Sequence, residues 1–241
     1  MILVFAGKRV GHELLQYLIA RGDPIGFVVI SSDADFDIAR TCADAELPCT
    51  TFESVDAGAL RRPGGYDWLL DLWSPHILSN EILELARNRA NLHPSLVPHA
   101  RGADSTAWCI RKGLPAGVSI LEMTEVVDGG GLYTQKKVEF DFPTAGRELH
   151  ARLQDEMISF FKEVWPQMLA GEIRAKPQPE GGSHHRRKET NLDRVRDSST
   201  VMTLGEAVRW MLAHDFDPGT TAELLENGER YRIRVSVEKV K

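Results

Sequence analysis

The first 93 residues alternate between short apolar runs and longer segments with apolar side chains at helical spacing. The short runs have the length of buried strands and cover Ile2–Ala6, Ile25–Ile30, Tyr66–Leu72 and residues 49–52 and 89–93. The amphipathic segments between them cover residues 10–21, 37–46 and 79–88. Strands that alternate with helices in this way predict a Rossmann-like α/β fold, a mostly parallel sheet with helices on both faces.

The pattern changes after residue 93. Pro94 and Pro98 exclude a helix there, so a shaped loop is predicted. A helix over residues 105–112, half-buried strands over 117–123 and 132–139, and one long amphipathic helix over 144–170 follow. Pro166 is predicted to kink or end the long helix.

A segment rich in proline and glycine, residues 176–183, predicts a domain boundary. It would divide a catalytic domain, residues 1–176, from a small α+β extension, residues 177–241. In the extension, residues 203–214 have helical spacing. Asn227-Gly228 predicts the tight turn of a β-hairpin between residues 223–226 and 230–237.

Composition narrows the class of protein. The chain has 241 residues, 42% of them hydrophobic and 27% charged, with a formal net charge of −6. This acidic balance argues against a general nucleic-acid binder, which needs a basic surface. No apolar stretch is long enough to span a membrane, and the first six residues predict a strand rather than a signal peptide. Cys42, Cys49 and Cys109 form no paired framework, so we expect a reducing cytoplasm.

Candidate chemistry first appears at the end of the fifth predicted strand. Asn91 and His93 are two positions apart and therefore project from the same face of that strand. Ligands of open parallel sheets lie beyond the carboxyl ends of the strands. A histidine can move a proton near neutral pH, and an asparagine amide can donate to a developing oxyanion, although both could simply hold a loop.

The sequence around these two residues resembles the formyltransferases that use N10-formyltetrahydrofolate. Residues 91–102, NLHPSLVPHARG, resemble the signature N-x-H-P/A-S-L-L-P followed by R-G. Residues 117–123, GVSILEM, resemble its G-V-T-I-H-x-M strand, and residues 127–133, VDGGGLY, resemble its L-D-T-G-D-I-L loop. Gly129 and Gly131 replace the usual Thr and Asp, so we expect a more flexible loop.

The resemblance implies roles for three residues, Asn91, His93 and Asp128, as the catalytic set. His93 would be the general base or proton shuttle, Asn91 would hydrogen-bond the oxyanion, and Asp128 would orient or stabilise His93. Asp128 would otherwise be an ordinary start of a glycine-rich turn.

The same resemblance implies N10-formyltetrahydrofolate as co-substrate and no metal. The folate would lie between two loops, one after the fourth strand and one after the GVSILEM strand. Its expected contacts are Trp73, His76, Ile77, Leu78, Leu121, Met123, Glu125 and Val126. Each apolar residue among them could equally be ordinary core.

The end of the chain bears on the formyl acceptor. Residues 181–187, GGSHHRR, resemble the G-G-S/T-Y-H-x-R/K segment of sugar N-formyltransferases, with His184 in place of the tyrosine. The extension is too short and the chain too acidic for the larger basic domain of the methionyl-tRNA enzymes. The resemblance therefore implies a nucleotide-linked amino-dideoxy sugar, with dTDP expected, made for a surface polysaccharide such as lipopolysaccharide O-antigen, and a homodimer.

Basic and loop residues are the candidates for binding the sugar nucleotide, since Arg and Lys recognise phosphate well. They are Lys8, Arg9, Ser95, Gly102, His184, His185, Arg186 and Arg187. A charge run of this kind is also commonly a solvated turn. Three other functions stay open: transfer to another small amine such as glycinamide ribonucleotide, hydrolysis of the formyl-folate, and binding of folate or nucleotide without catalysis.

Overall fold

The computed structural model describes residues 1–240, which divide into two compact units built from alternating segments of the chain. Unit 1 comprises residues 1–93, 119–134 and 155–178. Unit 2 comprises residues 94–118, 135–154 and 179–240. One of the segment ends, between residues 178 and 179, lies within the predicted boundary segment.

The central sheet has seven strands in the order β3-β2-β1-β4-β5-β7-β8. The twelve strands of the chain are β1 (Ile2–Ala6), β2 (Ile25–Ile30), β3 (Cys49–Thr51), β4 (Tyr66–Leu72), β5 (Ala86–His93), β6 (Arg101–Gly102), β7 (Ala116–Glu122), β8 (Leu132–Val138), β9 (His184–His185), β10 (Val195–Asp197), β11 (Glu223–Glu226) and β12 (Glu229–Arg232). The helices are α1 (Lys8–Arg21), α2 (Phe36–Asp44), α3 (Asn80–Leu83), α4 (Ser105–Lys112), α5 (Gly146–Leu169), α6 (Arg187–Asp193) and α7 (Leu204–Ala213), with a 3₁₀ turn at Phe52–Ser54.

The first five strands of this sheet pair in parallel, and β7 pairs antiparallel with β5. Every residue of β1 is buried, as its continuous apolar sequence requires of a strand covered on both faces. The register aligns Asp71 of β4 with Asn91 of β5, so both side chains lie at the carboxyl edge of the sheet. The predicted α/β fold is confirmed.

Two of the element predictions are wrong in detail. The segment 79–88 forms only the short helix α3, and Ala86 already belongs to β5. Pairing with β4 overrides the helical pattern here, with Tyr66 aligned to Ala86. Helix α5 continues through Pro166 and ends at Leu169.

The last part of the chain contains three elements that the pattern does not predict, strand β9, helix α6 and strand β10. All three are too short to show a period. The predicted helix α7 is confirmed, with Thr203 as its N-cap. The hairpin of β11 and β12 is confirmed too, although its second strand ends at Arg232 and not at residue 237. Both turn residues, Asn227 and Gly228, have the positive φ of a primed turn. Within residues 1–240 none of the helices is long and apolar enough to cross a membrane.

Candidate active site

His93 and Asp128 face each other in unit 1. His93 ends β5, and Asp128 lies in the loop between β7 and β8. The distance from His93 Nδ1 to Asp128 Oδ1 is 3.6 Å, and the two side chains are only 7% and 5% exposed. This distance suits an ion pair once His93 is protonated, though it is longer than a hydrogen bond. Unliganded sites commonly have such loose contacts, which tighten when substrate binds.

Asn91 and Asp71 line the same pocket as Asp128. Residues aligned across parallel strands project to the same face, so Asp71 lies beside Asn91. Asp71 is 5% exposed, and its Oδ1 accepts a 2.8 Å hydrogen bond from the Ser74 N–H. Burial, with the nearby charge of Asp128, raises the pKa of Asp71 to about 7. Asp71 has no counterpart in the motifs, so the sequence reasoning missed it. The only available signal was an acidic residue inside an apolar run.

The loop that carries Asp128 is held in a strained shape. Asp128 has a φ of 52°, in the left-handed region that L residues rarely adopt. A Cβ on Gly130 would lie 2.0 Å from the Glu122 carbonyl oxygen, so only glycine fits there. Glycines next to this position give the loop freedom that must be removed by contacts from elsewhere.

Gln178 supplies such contacts and was also missed. Its Nε2 donates to the carbonyl oxygens of Asp128, at 2.8 Å, and Gly130, at 2.7 Å. Just before it, Lys176 pairs with Leu132 through two backbone hydrogen bonds of 2.7 and 3.0 Å. The segment 176–178 is therefore hydrogen-bonded to the loop that carries Asp128 and holds that loop in place.

Six of the eight predicted folate contacts line this pocket: His76, Ile77, Leu78, Leu121, Met123 and Val126. Ile77 is 75% and Val126 67% exposed, so large apolar side chains stand at the rim. Exposed apolar groups beside a polar floor suit a flat ligand with polar edges.

The other two predicted folate contacts, Trp73 and Glu125, are not part of the pocket wall. His76 is part of it, but its ring already stacks on Phe52 at 3.7 Å, and its Nε2 lies 2.8 Å from the Ser31 carbonyl oxygen. These contacts give His76 a structural role in shaping the wall.

Lys8 and Arg9 begin helix α1, directly after β1. The Lys8 side chain is exposed, and its backbone N–H donates to Asp35 at 3.0 Å. Arg9 forms an ion pair with Asp155 and lies 3.8 Å from Glu13. The charge of Arg9 is thus already balanced within the protein.

The segment 181–185 of unit 2, which begins with two glycines, packs against and hydrogen-bonds to the loop that follows β5. β9 pairs in parallel with β6, aligning Gly102 with His185. A Cβ on Gly102 would lie 2.2 Å from the His185 carbonyl oxygen, and one on Gly182 would lie 1.9 Å from that of Pro98. Close backbone approach explains both glycines. Ser183 adds a hydrogen bond from the Ala100 N–H at 2.9 Å.

The basic residues of this segment differ in exposure. His185 is 5% exposed, stacks on Trp108 at 4.1 Å, and lies 3.4 Å from Glu189. Burial, with the nearby charge of Lys112, lowers the pKa of His185. The stacked and buried ring packs inside the segment, away from solvent. His184, Arg186 and Arg187 are exposed, although Arg187 lies 3.6 Å from Asp104. Ser95 is fully buried.

Residues 74–164 match the family of formyl transferases. A 4-N formyltransferase of Francisella tularensis has the same fold, with 19% identity, a TM-score of 0.84, and 99% of this chain and 98% of its own covered. An Anoxybacillus kamchatkensis formyltransferase, solved with UDP-4,6-dideoxy-4-formamido-L-AltNAc and tetrahydrofolate, is 23% identical over 79% of this chain and 88% of its own, at a TM-score of 0.60.

An N-formyltransferase of Helicobacter canadensis, solved with folinic acid and dTDP-3-aminofucose, is 17% identical. The match covers 88% of this chain and 80% of that one, at a TM-score of 0.72. Asn91, His93 and Asp128 all fall within the range that matches the family. Residues 74–164 of the chain therefore match the formyl transferase family, and the chain has the fold of the sugar N-formyltransferases.

Proposed function

We propose that the protein transfers the formyl group of N10-formyltetrahydrofolate to the amino group of a nucleotide-linked amino sugar. The observation that carries the proposal is the buried contact of His93 with Asp128, and Asp128 lines a pocket that Asn91 also lines. Burying the polar side chains of His93 and Asp128 at a sheet edge costs free energy, so a folding role alone accounts poorly for them.

His93 is the proton carrier in this proposal. The amine forms a bond to the formyl carbon while the bond from that carbon to folate N10 breaks, and one proton passes from the amine to N10. His93 accepts the proton from the amine and returns it to the leaving nitrogen. The Asp128 carboxylate, 3.6 Å away, stabilises the imidazolium formed in between.

Asn91 supports the charge on oxygen. When the amine attacks, the formyl carbonyl oxygen becomes an oxyanion, and a fixed amide N–H stabilises it more than it stabilises the ground state. Asn91 belongs to a paired strand, aligned with Asp71 on one side and Leu121 on the other. Its backbone is therefore fixed before substrate binds.

The pocket chemistry fits a reduced folate. Aliphatic side chains on both loops can cover the faces of the pterin, and the floor offers polar groups to its edge. The relatives solved with tetrahydrofolate and with folinic acid support this assignment.

The acceptor site is assigned to the segment that begins with the two glycines before Ser183. Here His184, Arg186 and Arg187 present donors to solvent, as a diphosphate requires. The relatives solved with dTDP- and UDP-linked sugars support a nucleotide sugar as acceptor. We take dTDP as the nucleotide, a surface polysaccharide as the destination, a homodimer as the assembly and the cytoplasm as the location.

The proposal is tested by product analysis. The protein is incubated with N10-formyltetrahydrofolate and a panel of dTDP- and UDP-linked amino sugars, and the products are examined by mass spectrometry for one added formyl group. Formylation of at least one sugar is expected. If no sugar is formylated while a known sugar N-formyltransferase works under the same conditions, the acceptor class is wrong.

The same assay separates the other functions. Formylation of glycinamide ribonucleotide but of no sugar would assign a different amine. Formate release without any acceptor would assign a hydrolase. Tight folate binding in calorimetry with no turnover would assign a binding protein.

A further inference from the structure

Asp71 is a buried carboxyl in the catalytic pocket that the reaction described above does not use. It is the last residue but one of β4, in the buried part of that strand. It lines the pocket together with Asn91 and Asp128. Its place is fixed by the register of β4 with β1 and β5, where it aligns with Phe5 and Asn91. Its 2.8 Å contact with the Ser74 N–H fixes the carboxyl itself.

The surroundings of Asp71 disfavour a negative charge. The side chain is 5% exposed, so water does not solvate it. Among residues 1–240 no lysine, arginine or histidine forms an ion pair with it. Asp128 adds a second carboxylate nearby, and two like charges in one buried site oppose each other.

The titratable groups facing this site come from three elements. Glu122 and Asp128, from the segment between β7 and β8, and His76, from the turn after β4, line the pocket, and His93 at the end of β5 faces Asp128. β1 contributes Phe5, which does not titrate. The His76 ring is held by Phe52 and Ser31, and His93 is directed towards Asp128. Asp71 is therefore a buried carboxyl of this set with no cation beside it among residues 1–240, in surroundings that favour its protonated form.

We propose that Asp71 works in this site as a neutral carboxylic acid, whose O–H donates a hydrogen bond to the formyl-bearing end of the folate. This inference rests on the proposed formyl transfer. A protonated carboxyl has one O–H donor, and it keeps its proton throughout. Such a donor is stronger in a buried pocket than in water, and it strengthens as charge develops on the formyl oxygen.

Two substitutions at Asp71 test the donor role. Asp71→Asn keeps a neutral donor of nearly the same shape and an oxygen for the Ser74 N–H, whereas Asp71→Leu removes both. Asp44→Asn, at an exposed position of α2 in the same unit, is the control. Turnover is measured on both sides of neutrality with saturating substrates, and each variant is checked by thermal melting.

The wild type is expected to lose turnover as the pH rises through about 7, because Asp71 then ionises and the donor is lost. Asp71→Asn should keep most of the wild-type turnover below neutrality and lose the alkaline decline. Asp71→Leu should turn over at least about tenfold more slowly at every pH. An Asn variant as impaired as the Leu variant would show that the negative charge is needed, and the proposal would fall. So would an alkaline decline that is the same in the Asn variant and the wild type.

A second measurement needs no substrate. Carbon-13 NMR of the aspartate carboxyl groups, with the Asp71 signal assigned by its loss in Asp71→Asn, follows its ionisation directly. Titration in the ordinary range of aspartate would overturn the inference whatever the reaction is. Titration near 7 in a protein that formylates no sugar would overturn the proposed function and leave the neutral carboxyl supported.

Discussion

The pocket of unit 1 and the basic segment of unit 2, residues 184–188, handle polar side chains in opposite ways. The side chains of Asp71 and Asp128 in the pocket, and of His93 beside Asp128, are each at least nine-tenths buried. In the basic segment four of the five residues are exposed, and the fifth, His185, is stacked on Trp108. The sequence predicts a functional role for both regions, because each contains a cluster of residues with suitable chemistry.

Burial of a polar side chain argues for a role in function more strongly than exposure does. A buried polar group costs free energy unless it is paired, so its retention in a pocket points to chemistry. An exposed cation costs almost nothing, and its contacts with Asp104 or with solvent are typical of any soluble protein. Substitutions of the buried polar residues at the pocket should therefore have large effects on turnover, and those of the exposed cations in the basic segment small effects on binding.

The largest effect is expected at His93. His93→Asn keeps a polar side chain but removes the proton carrier, so turnover should fall by about 10²–10⁴-fold. The measurement is kcat in the formylation assay, with the melting temperature as the folding check. His12→Asn, on α1 and bonded to Thr41, is the matched control and should stay active. A fully active His93→Asn enzyme would remove this residue from the mechanism.

The ionisation of Asp71 is expected to lower the free energy of unfolding as the pH rises. Its folded pKa of about 7 lies above the ordinary value of 3.8, so the folded state binds the proton more tightly. The free energy of unfolding then falls as the pH rises from about 4 to about 7. Asp71→Asn avoids this loss and should be more stable than the wild type above neutrality by on the order of a few kcal/mol.

Denaturant unfolding below and above neutrality checks this expectation. The gain of Asp71→Asn over the wild type should shrink as the pH is lowered towards 4, close to the ordinary aspartate pKa of 3.8. Asp44→Asn, whose side chain is 76% exposed, should show no comparable pH dependence. A gain that is the same at every pH would contradict the raised pKa of Asp71.

Gln178 should have the next largest effect. Its two hydrogen bonds hold the loop with Asp128 in a left-handed conformation, so their loss allows the carboxylate to move away from His93. Gln178→Leu should lower kcat by about 10–100-fold, since a misplacement of about 1 Å can cost 10²-fold. The KM for folate should change little by comparison.

Hydrogen exchange tests whether Gln178 acts through the loop. The amides of residues 128–131 should exchange faster in Gln178→Leu than in the wild type. Gln167→Leu, at an exposed position of α5, serves as the control for losing a glutamine. Reduced turnover with unchanged loop exchange would show that Gln178 acts in another way.

Local patterns predicted much of what the structure contains in unit 1. β1, β2 and β4 have the predicted bounds, because each is a continuous apolar run between clear stops. The contact of His93 with Asp128 followed from motifs 35 positions apart in the chain. Asp71 and Gln178 could not be found in this way. The role of Asp71 depends on strand register, and that of Gln178 on hydrogen bonds to a loop that is distant in the chain. Their roles exist only once the sheet has formed.

The smallest effects are expected at the exposed arginines of unit 2. An exposed ionic contact contributes about 0.2–1 kcal/mol, so Arg186→Ala and Arg187→Ala should each raise the KM for the nucleotide sugar only a few-fold. The kcat should stay unchanged, and the increase should shrink as salt is added, because salt screens exposed charges. Arg40→Ala, at an exposed position of α2, should leave the KM unaltered. If neither unit 2 variant changes the KM at low salt, this segment is a solvated turn and the sugar diphosphate is bound elsewhere. If either one lowers kcat as strongly as His93→Asn, exposure is no guide to function in this protein.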